Sequence, residues 1–148
     1  MATVRKLLES KELTKNYSVE ASQTVLEALK VMADAQIGAV LVTENGKIVG
    51  IYTERDYLYK GEAQGRAAKT TCIKDVMTPQ MVTVTKNTTI EQCMALMNQY
   101  KVRHLPVVEH DQLAGLVSMR DVMLAVLEIK ENEIRGLENY IMGSGFQS

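Results

Sequence analysis

An internal offset limits what this chain can fold into more than any other feature. Sliding the sequence against itself by 65 residues carries Met32 onto Met97, Val42 onto Val107, Gly50 onto Gly115, Arg55 onto Arg120 and Asp56 onto Asp121 without a gap. Few positions are identical, but the apolar pattern stays in phase, which marks one supersecondary unit used twice. In 148 residues, two such units must share a core, because each alone buries too little surface.

Each copy has the same predicted order of elements. A short strand, Tyr17-Ser18-Val19 or Val82-Thr83-Val84, leads into a helix whose start carries a capping-box spacing, Thr24 with Glu27 or Thr89 with Gln92. Val25, Leu29 and Met32 mark one helical face, as do Ile90, Met94 and Met97, and both faces are expected to be buried. Two strands follow, Ala39 to Val42 and Ile48 to Tyr52 in the first copy, Leu105 to Val108 and Leu113 to Val117 in the second. Asn45-Gly46 and His110-Asp111 supply the turns between them. A second helix opens at Thr53 or Ser118, and the later one keeps its period to about Tyr140 through Val126, Ile134 and Leu137. The predicted unit is β-α-β-β-α and the class mixed α/β, of the α+β kind.

The predicted division is an N-terminal helical segment over 1–16, a first repeat over 17–65, a linker over 66–81, a second repeat over 82–130, and a C-terminal helix extension with a frayed tail over 131–148. Within the linker, Ile73-Lys74-Asp75-Val76-Met77 forms one helical turn stopped by Thr78-Pro79.

Composition excludes several functions. A net charge of -1 offers no field for a polyanion, so no nucleic-acid partner is expected. The apolar runs fall far short of the ~20 residues that cross a bilayer, so no membrane span is expected. Cys72 and Cys93 are too few for a disulfide framework or a thiolate metal site, and His104 with His110 cannot complete one. A cytoplasmic location is expected. Gly143-Ser144-Gly145 follows no strand, so neither a Rossmann fingerprint nor a P-loop is present.

The chemistry-bearing feature is the duplicated motif Gly50-Ile51-Tyr52-Thr53-Glu54-Arg55-Asp56 and Gly115-Leu116-Val117-Ser118-Met119-Arg120-Asp121. Two accounts of it stand side by side. In one, Thr53 and Ser118 cap a helix and Asp56 and Asp121 return a bond to the cap. In the other, a hydroxyl, an arginine and free amides at a helix start receive phosphate, while the carboxylate accepts hydrogen bonds from a ribose diol. Arg55 and Arg120 favour the second, since a cation near a positive helix end is unfavourable without an anion.

With that motif pair, Ile73-Lys74-Asp75-Val76-Met77-Thr78-Pro79 and Val102-Arg103-His104-Leu105-Pro106-Val107, the chain resembles a Bateman module, two cystathionine-beta-synthase (CBS) domains, from Tyr17 to Leu127. The resemblance implies a pseudo-twofold pair packed through its small sheets. It also implies clefts for an adenosine-containing ligand, AMP first, with ADP, ATP, NAD(H) and S-adenosylmethionine as further candidates. In this family pattern Asp56 and Asp121 would hold ribose hydroxyls, Thr53, Ser118, Arg55 and Arg120 would face phosphate, and Ile51 and Leu116 would flank the base. The opposite repeat would complete each cleft through Ile37-Gly38-Ala39 and through Val102-Arg103-His104, and Tyr17, Thr83 and Pro106 belong to the same predicted set. The copies differ where Gly38-Ala39-Val40-Leu41 matches Arg103-His104-Leu105-Pro106, so the two clefts are expected to be unequal.

The implied function is that of a sensor acting on an unknown protein target, not an enzyme. A small nucleotide hydrolase or redox protein using Cys72 or His104, and a structural module with empty clefts, are the alternatives. A homodimer is expected, because the stripe of Ile129, Ile134 and Leu137 would otherwise face water.

Overall fold

The computed structural model describes residues 2–10 and 17–144. Its first repeat contains β1 (Ser18–Glu20), α2 (Val25–Ala35), β2 (Ala39–Glu44), β3 (Lys47–Thr53) and the helical segment α3, residues 54–64, preceded by α1 (Val4–Ser10). The second contains α4 (Ile90–Tyr100), β4 (His104–Glu109), β5 (Gln112–Ser118) and α5 (Met119–Ser144). Strand β2 pairs parallel with β1 and antiparallel with β3, while β4 and β5 form the matching hairpin. The predicted first strand of repeat two reduces to one parallel bridge, Val84 with Val107.

Local chemistry explains the elements. The Thr24 hydroxyl accepts the Glu27 amide at 3.2 Å and the Thr89 hydroxyl accepts the Gln92 amide at 3.1 Å. Only the second box closes fully, with the Thr89 amide donating to the Gln92 side chain at 2.9 Å; the Glu27 carboxylate instead takes the Gln23 side-chain amide at 2.6 Å. Both helices end on a left-handed residue, Gln36 or Lys101, each with φ 56°. In both hairpins the two turn residues have positive φ, Asn45-Gly46 and His110-Asp111, which matches the twist of the flanking strands.

Ala28 joins Val25 and Met32 in the core of repeat one. In repeat two the buried face of α4 is Ile90, Cys93 and Met97, and Met94, expected inside, is 47% exposed. Met94 follows Cys93 by one residue, about 100° further round the helix, and so leaves the buried face and lines a cavity with residues of α5. The helix α5 exceeds the predicted end near Tyr140 and runs to Ser144. Of the tail expected to fray, residues 143–148, the first two continue α5 as helix, while residues 145–148, like residues 11–16 of the N-terminal segment, lie outside the described residues.

Three buried clusters make up the core. A third cluster of Ala39, Leu41 and Ile51 receives Leu113 and Leu116, so the two sheets meet face to face as the family resemblance implied. The other two each contain a foreign piece. Ile73 and Val76, from the turn Ile73–Asp75 and its cap, are buried in repeat one, whereas Val4 and Leu8 of α1 are buried in repeat two. The backbone repeats the arrangement: Val25 and Ile73 amides donate to Thr71 and Gln23 carbonyls, as Ile90 and Val4 amides donate to Ala2 and Thr88 carbonyls. The segment leading into each repeat therefore anchors in the other.

Candidate functional site

The duplicated motif lies where β3 runs into α3 and β5 into α5. The Thr53 amide donates to Asp56 Oδ2 at 3.0 Å and the Asp56 amide to Thr53 Oγ1 at 3.2 Å. Ser118 and Asp121 reproduce both bonds, at 2.8 and 3.1 Å. The hydroxyl and carboxylate are thus a reciprocal cap in each copy. The motif glycines also have a structural cause. A Cβ on Gly50 would lie 2.7 Å from Met77 Sδ and 2.9 Å from the Thr78 carbonyl, and one on Gly115 would lie 2.7 Å from Leu8 Cδ2, because the crossed anchors press on these strands. The arginines remain outside this account: Arg55 and Arg120 are exposed, and the Arg55 guanidinium stacks 5.5 Å from the Tyr59 ring centre.

Asp56 is more heavily engaged than a cap requires. Buried to 7% exposure, its Oδ1 accepts from Thr78 Oγ1 at 3.1 Å and pairs with Lys60 Nζ at 3.1 Å, and Lys60 also donates to Thr78 Oγ1. Lys60 and Thr78 are not in the predicted set of site residues, although Thr78 stands in the linker motif as the residue that stops its turn. The four-residue spacing from Asp56 to Lys60 was the available signal, whereas Thr78 belongs to the linker and reaches Asp56 only because its backbone pairs with Ile51 in both directions. The second copy has Ala125 at the position of Lys60. Beneath this network Tyr52 is fully buried, and its pKa is pushed up to about 12 by burial first, then by the negative charge of Asp56 and by Tyr57.

The other candidates spread over several surroundings. Ala39 and Ile51 lie in the shared cluster between the sheets, with Leu116 packed against it. The Gly38 carbonyl accepts the Glu54 amide at 3.1 Å and the Arg103 carbonyl accepts the Met119 amide at 2.8 Å, so each opposes the start of the following helix. Tyr17 and Ile37 are half-buried against the first core, and Thr83 is exposed. Pro106 is buried opposite Leu116, and His104 is half-buried opposite Ser118.

Arg55 of the first repeat meets Val102 and Arg103 of the second at a cavity of about 630 Å³. Its floor is methionine-rich, Met94, Met97, Met119 and Met123, between α4 and α5, and Lys101 adds a third cation to the rim. Ser118, Arg120 and Asp121 do not line it.

Among the described residues no three His, Cys, Asp or Glu side chains converge on a metal position. Cys93 is fully buried and desolvation pushes its thiol pKa up, which keeps it protonated. No described helix is long and apolar enough to cross a membrane.

The family model for the CBS domain matches residues 10–61 and again 73–128. The mitochondrial CBS domain-containing protein CBSX3 of Arabidopsis thaliana is 39% identical over 125 residues, which are 81% of this chain and 61% of that protein's length. A solved CBS-domain protein of Burkholderia ambifaria, described as a putative signal-transduction protein, superposes with a TM-score of 0.83 at 37% identity, covering 86% of this chain and 95% of that one. The CBS domain pair of protein MJ0100, solved in complex with 5-methylthioadenosine and S-adenosyl-L-methionine, shares the fold at a TM-score of 0.75 and 22% identity, over 84% of this chain and 99% of that one. Twice-matched by the same family model and built as two interlocked copies of one unit, the chain belongs to the CBS-domain family as a tandem pair.

Proposed function

We propose that this CBS pair is a regulatory module that binds an adenosine-containing ligand, with AMP as the first candidate and ADP, ATP, NAD(H) and S-adenosylmethionine after it. The observation that carries this reading is the placement of Arg55 and Arg120. Each stands exposed in the first turn of a helix whose cap already accounts for the neighbouring hydroxyl and carboxylate. A cation there gains from an anionic ligand and loses without one. The adenosine ligands named for the MJ0100 pair support the same class. In this reading Asp56 and Asp121 hold ribose hydroxyls, and the ligand at Asp56 displaces Lys60 or Thr78 to do so.

Calorimetric titration with AMP tests it. Charged acceptors make hydrogen bonds of roughly 1.5–3 kcal/mol, so Asp56→Ala or Asp121→Ala weakens AMP at its own cleft by about tenfold to several hundredfold, leaving the other cleft largely intact. Each substitution also lowers the melting point of the ligand-free protein through a lost cap of ~1 kcal/mol. Melting loss alone, with normal AMP affinity and equal binding of 2′-deoxy-AMP, leaves only the capping role.

The same proposal places the module in the cytoplasm as a homodimer that acts on a separate protein target. The unpaired Cys72 and Cys93 fit a reducing compartment. Of the expected stripe, Ile134 and Leu137 are more than half exposed and Ile129 is half-buried beside the N-terminal segment; with Ile141, also more than half exposed, they support self-association.

A further inference from the structure

The Asp56 carboxylate is already fully engaged. Its Oδ2 accepts the Thr53 amide at 3.0 Å and the Thr53 hydroxyl at 3.2 Å, and its Oδ1 accepts the Thr78 hydroxyl and the Lys60 ammonium, both at 3.1 Å. A carboxylate offers about four acceptor sites, so a ribose diol reaches Asp56 only where one of these donors leaves. The Thr53 donors belong to the cap, and Thr78 is held by its backbone pairing with Ile51. Lys60 is the donor that reaches water, with its side chain 39% exposed against 9% for Asp56. The helix is also irregular here. The Glu62 amide donates to the Tyr57 carbonyl five residues back, which widens α3 over Tyr57–Gly61, and such turns recur at functional sites. Neither feature repeats in the second copy, where Ala125 stands for Lys60 and α5 is regular α-helix.

We infer that Lys60 sets the charge of the ligand that the Asp56 cleft accepts: its ammonium occupies the ribose position until a ligand's phosphate draws it away. The inference rests on the adenosine-ligand reading and narrows it. A ribose diol replaces hydrogen bonds at Asp56 but brings no charge, so a neutral ligand must break an ion pair whose carboxylate is buried. A phosphate gives the released ammonium a new counterion, and Lys60 stands about one turn beyond Arg55, the cation already assigned to phosphate. AMP and its polyphosphates therefore fit this cleft, whereas adenosine and methylthioadenosine fit poorly. S-adenosylmethionine, with a sulfonium where AMP carries phosphate, meets an ammonium of like charge. With Ala125 in place of the lysine, the Asp121 cleft lacks this filter.

The test titrates full-length wild type, Lys60→Met, Lys60→Gln and Lys60→Arg with AMP, adenosine and methylthioadenosine by calorimetry, after circular dichroism melting has confirmed that each is folded. Lys60→Gln keeps a donor for the buried carboxylate. Each protein is used in the native background and with Asp121→Ala, which weakens the other cleft. Wild type is expected to prefer AMP over both neutral ligands at the Asp56 cleft by at least about tenfold. In Lys60→Met and Lys60→Gln the neutral ligands tighten and AMP does not, which shrinks that preference by about tenfold or more, while Lys60→Arg keeps it. A lysine that only supports the fold would move all three ligands the same way. Absence of binding by every one of these ligands overturns the adenosine reading and this inference together. A wild type that binds AMP without preferring it to the neutral ligands overturns the role of Lys60 alone and leaves the adenosine reading standing. An unchanged preference in a folded neutral variant, or an equal loss in Lys60→Arg, does the same.

Discussion

Tyr52 is the residue where burial and polarity conflict most sharply. Its ring is fully buried, and its hydroxyl has no hydrogen-bond partner. A buried unsatisfied hydroxyl carries its full desolvation penalty, whereas removing it is close to neutral. Tyr52→Phe is therefore expected to leave the melting temperature unchanged or raise it, and a drop of several degrees would disprove this account. The hydroxyl also sets a pH limit. In the unfolded chain it ionises near pH 10 and in the folded chain near about 12, so its contribution is complete below pH 10 and is lost as pH rises from there toward 12. Equilibrium unfolding of Tyr52→Phe should lack that part of the alkaline loss. The glycines give a second residue-scale prediction. At Gly50 an added methyl meets the Thr78 backbone carbonyl, which cannot rotate away, but at Gly115 it meets only the end of the Leu8 side chain. Gly50→Ala is expected to cost about 1–3 kcal/mol and Gly115→Ala less, as read by denaturant titration. Equal losses would mean that Leu8 is as fixed as backbone.

At the level of elements the two hairpins form an internal experiment. Both turns have two residues of positive φ, but the first uses Asn45-Gly46 and the second His110-Asp111, so only the second has a side chain strained at each position. Replacing His110 by Asn and Asp111 by Gly should stabilise the chain by about 1 kcal/mol, and an unchanged denaturation midpoint would show that the local strain is already relieved. These hairpins, the helix starts and the hydrogen-bonding half of the motif were legible in the sequence, since turn residues, capping spacings and alternating strands act over a few neighbouring positions. Thr24, Thr53, Thr89 and Ser118 all cap as their spacing implies, and Asp56 and Asp121 return the bond, whereas Glu27 does not. Met94 was misplaced because a helical face is judged by period alone, while its actual neighbour is the groove beside α5. The Asp56, Lys60 and Thr78 network was only half visible, because one partner comes from a linker 22 residues away whose path no local rule sets.

Across the whole molecule the decisive feature is the exchange of leading segments. It was illegible because a gapless offset of 65 aligns the repeats, whereas the anchors, Val4 and Leu8 against Ile73 and Met77, align at 69. A segment of 1–16 and a linker of 66–81 thus looked like separate parts. Since each anchor fills the opposite core, neither repeat is complete without the other's leader. Leu8→Ala and Ile73→Ala remove buried side chains from different repeats, each at a cost of about 2–5 kcal/mol. Both should lower the midpoint of one shared unfolding transition. A calorimetric trace that splits into two peaks in either variant would show that the repeats fold independently.

The crossed leaders also bear on how such a chain could have arisen and how it could be divided. A lone repeat with its own leader has a binding groove for a leader and a leader that does not fit its own groove. Such a unit either exchanges with one copy and closes, or passes its leader onward and grows into an open string. Joining two units in one polypeptide raises the local concentration of the matching leader and commits the exchange to a closed pair. Cutting the chain between Gln64 and Thr71 would therefore yield two fragments that find each other in solution, not two autonomous domains.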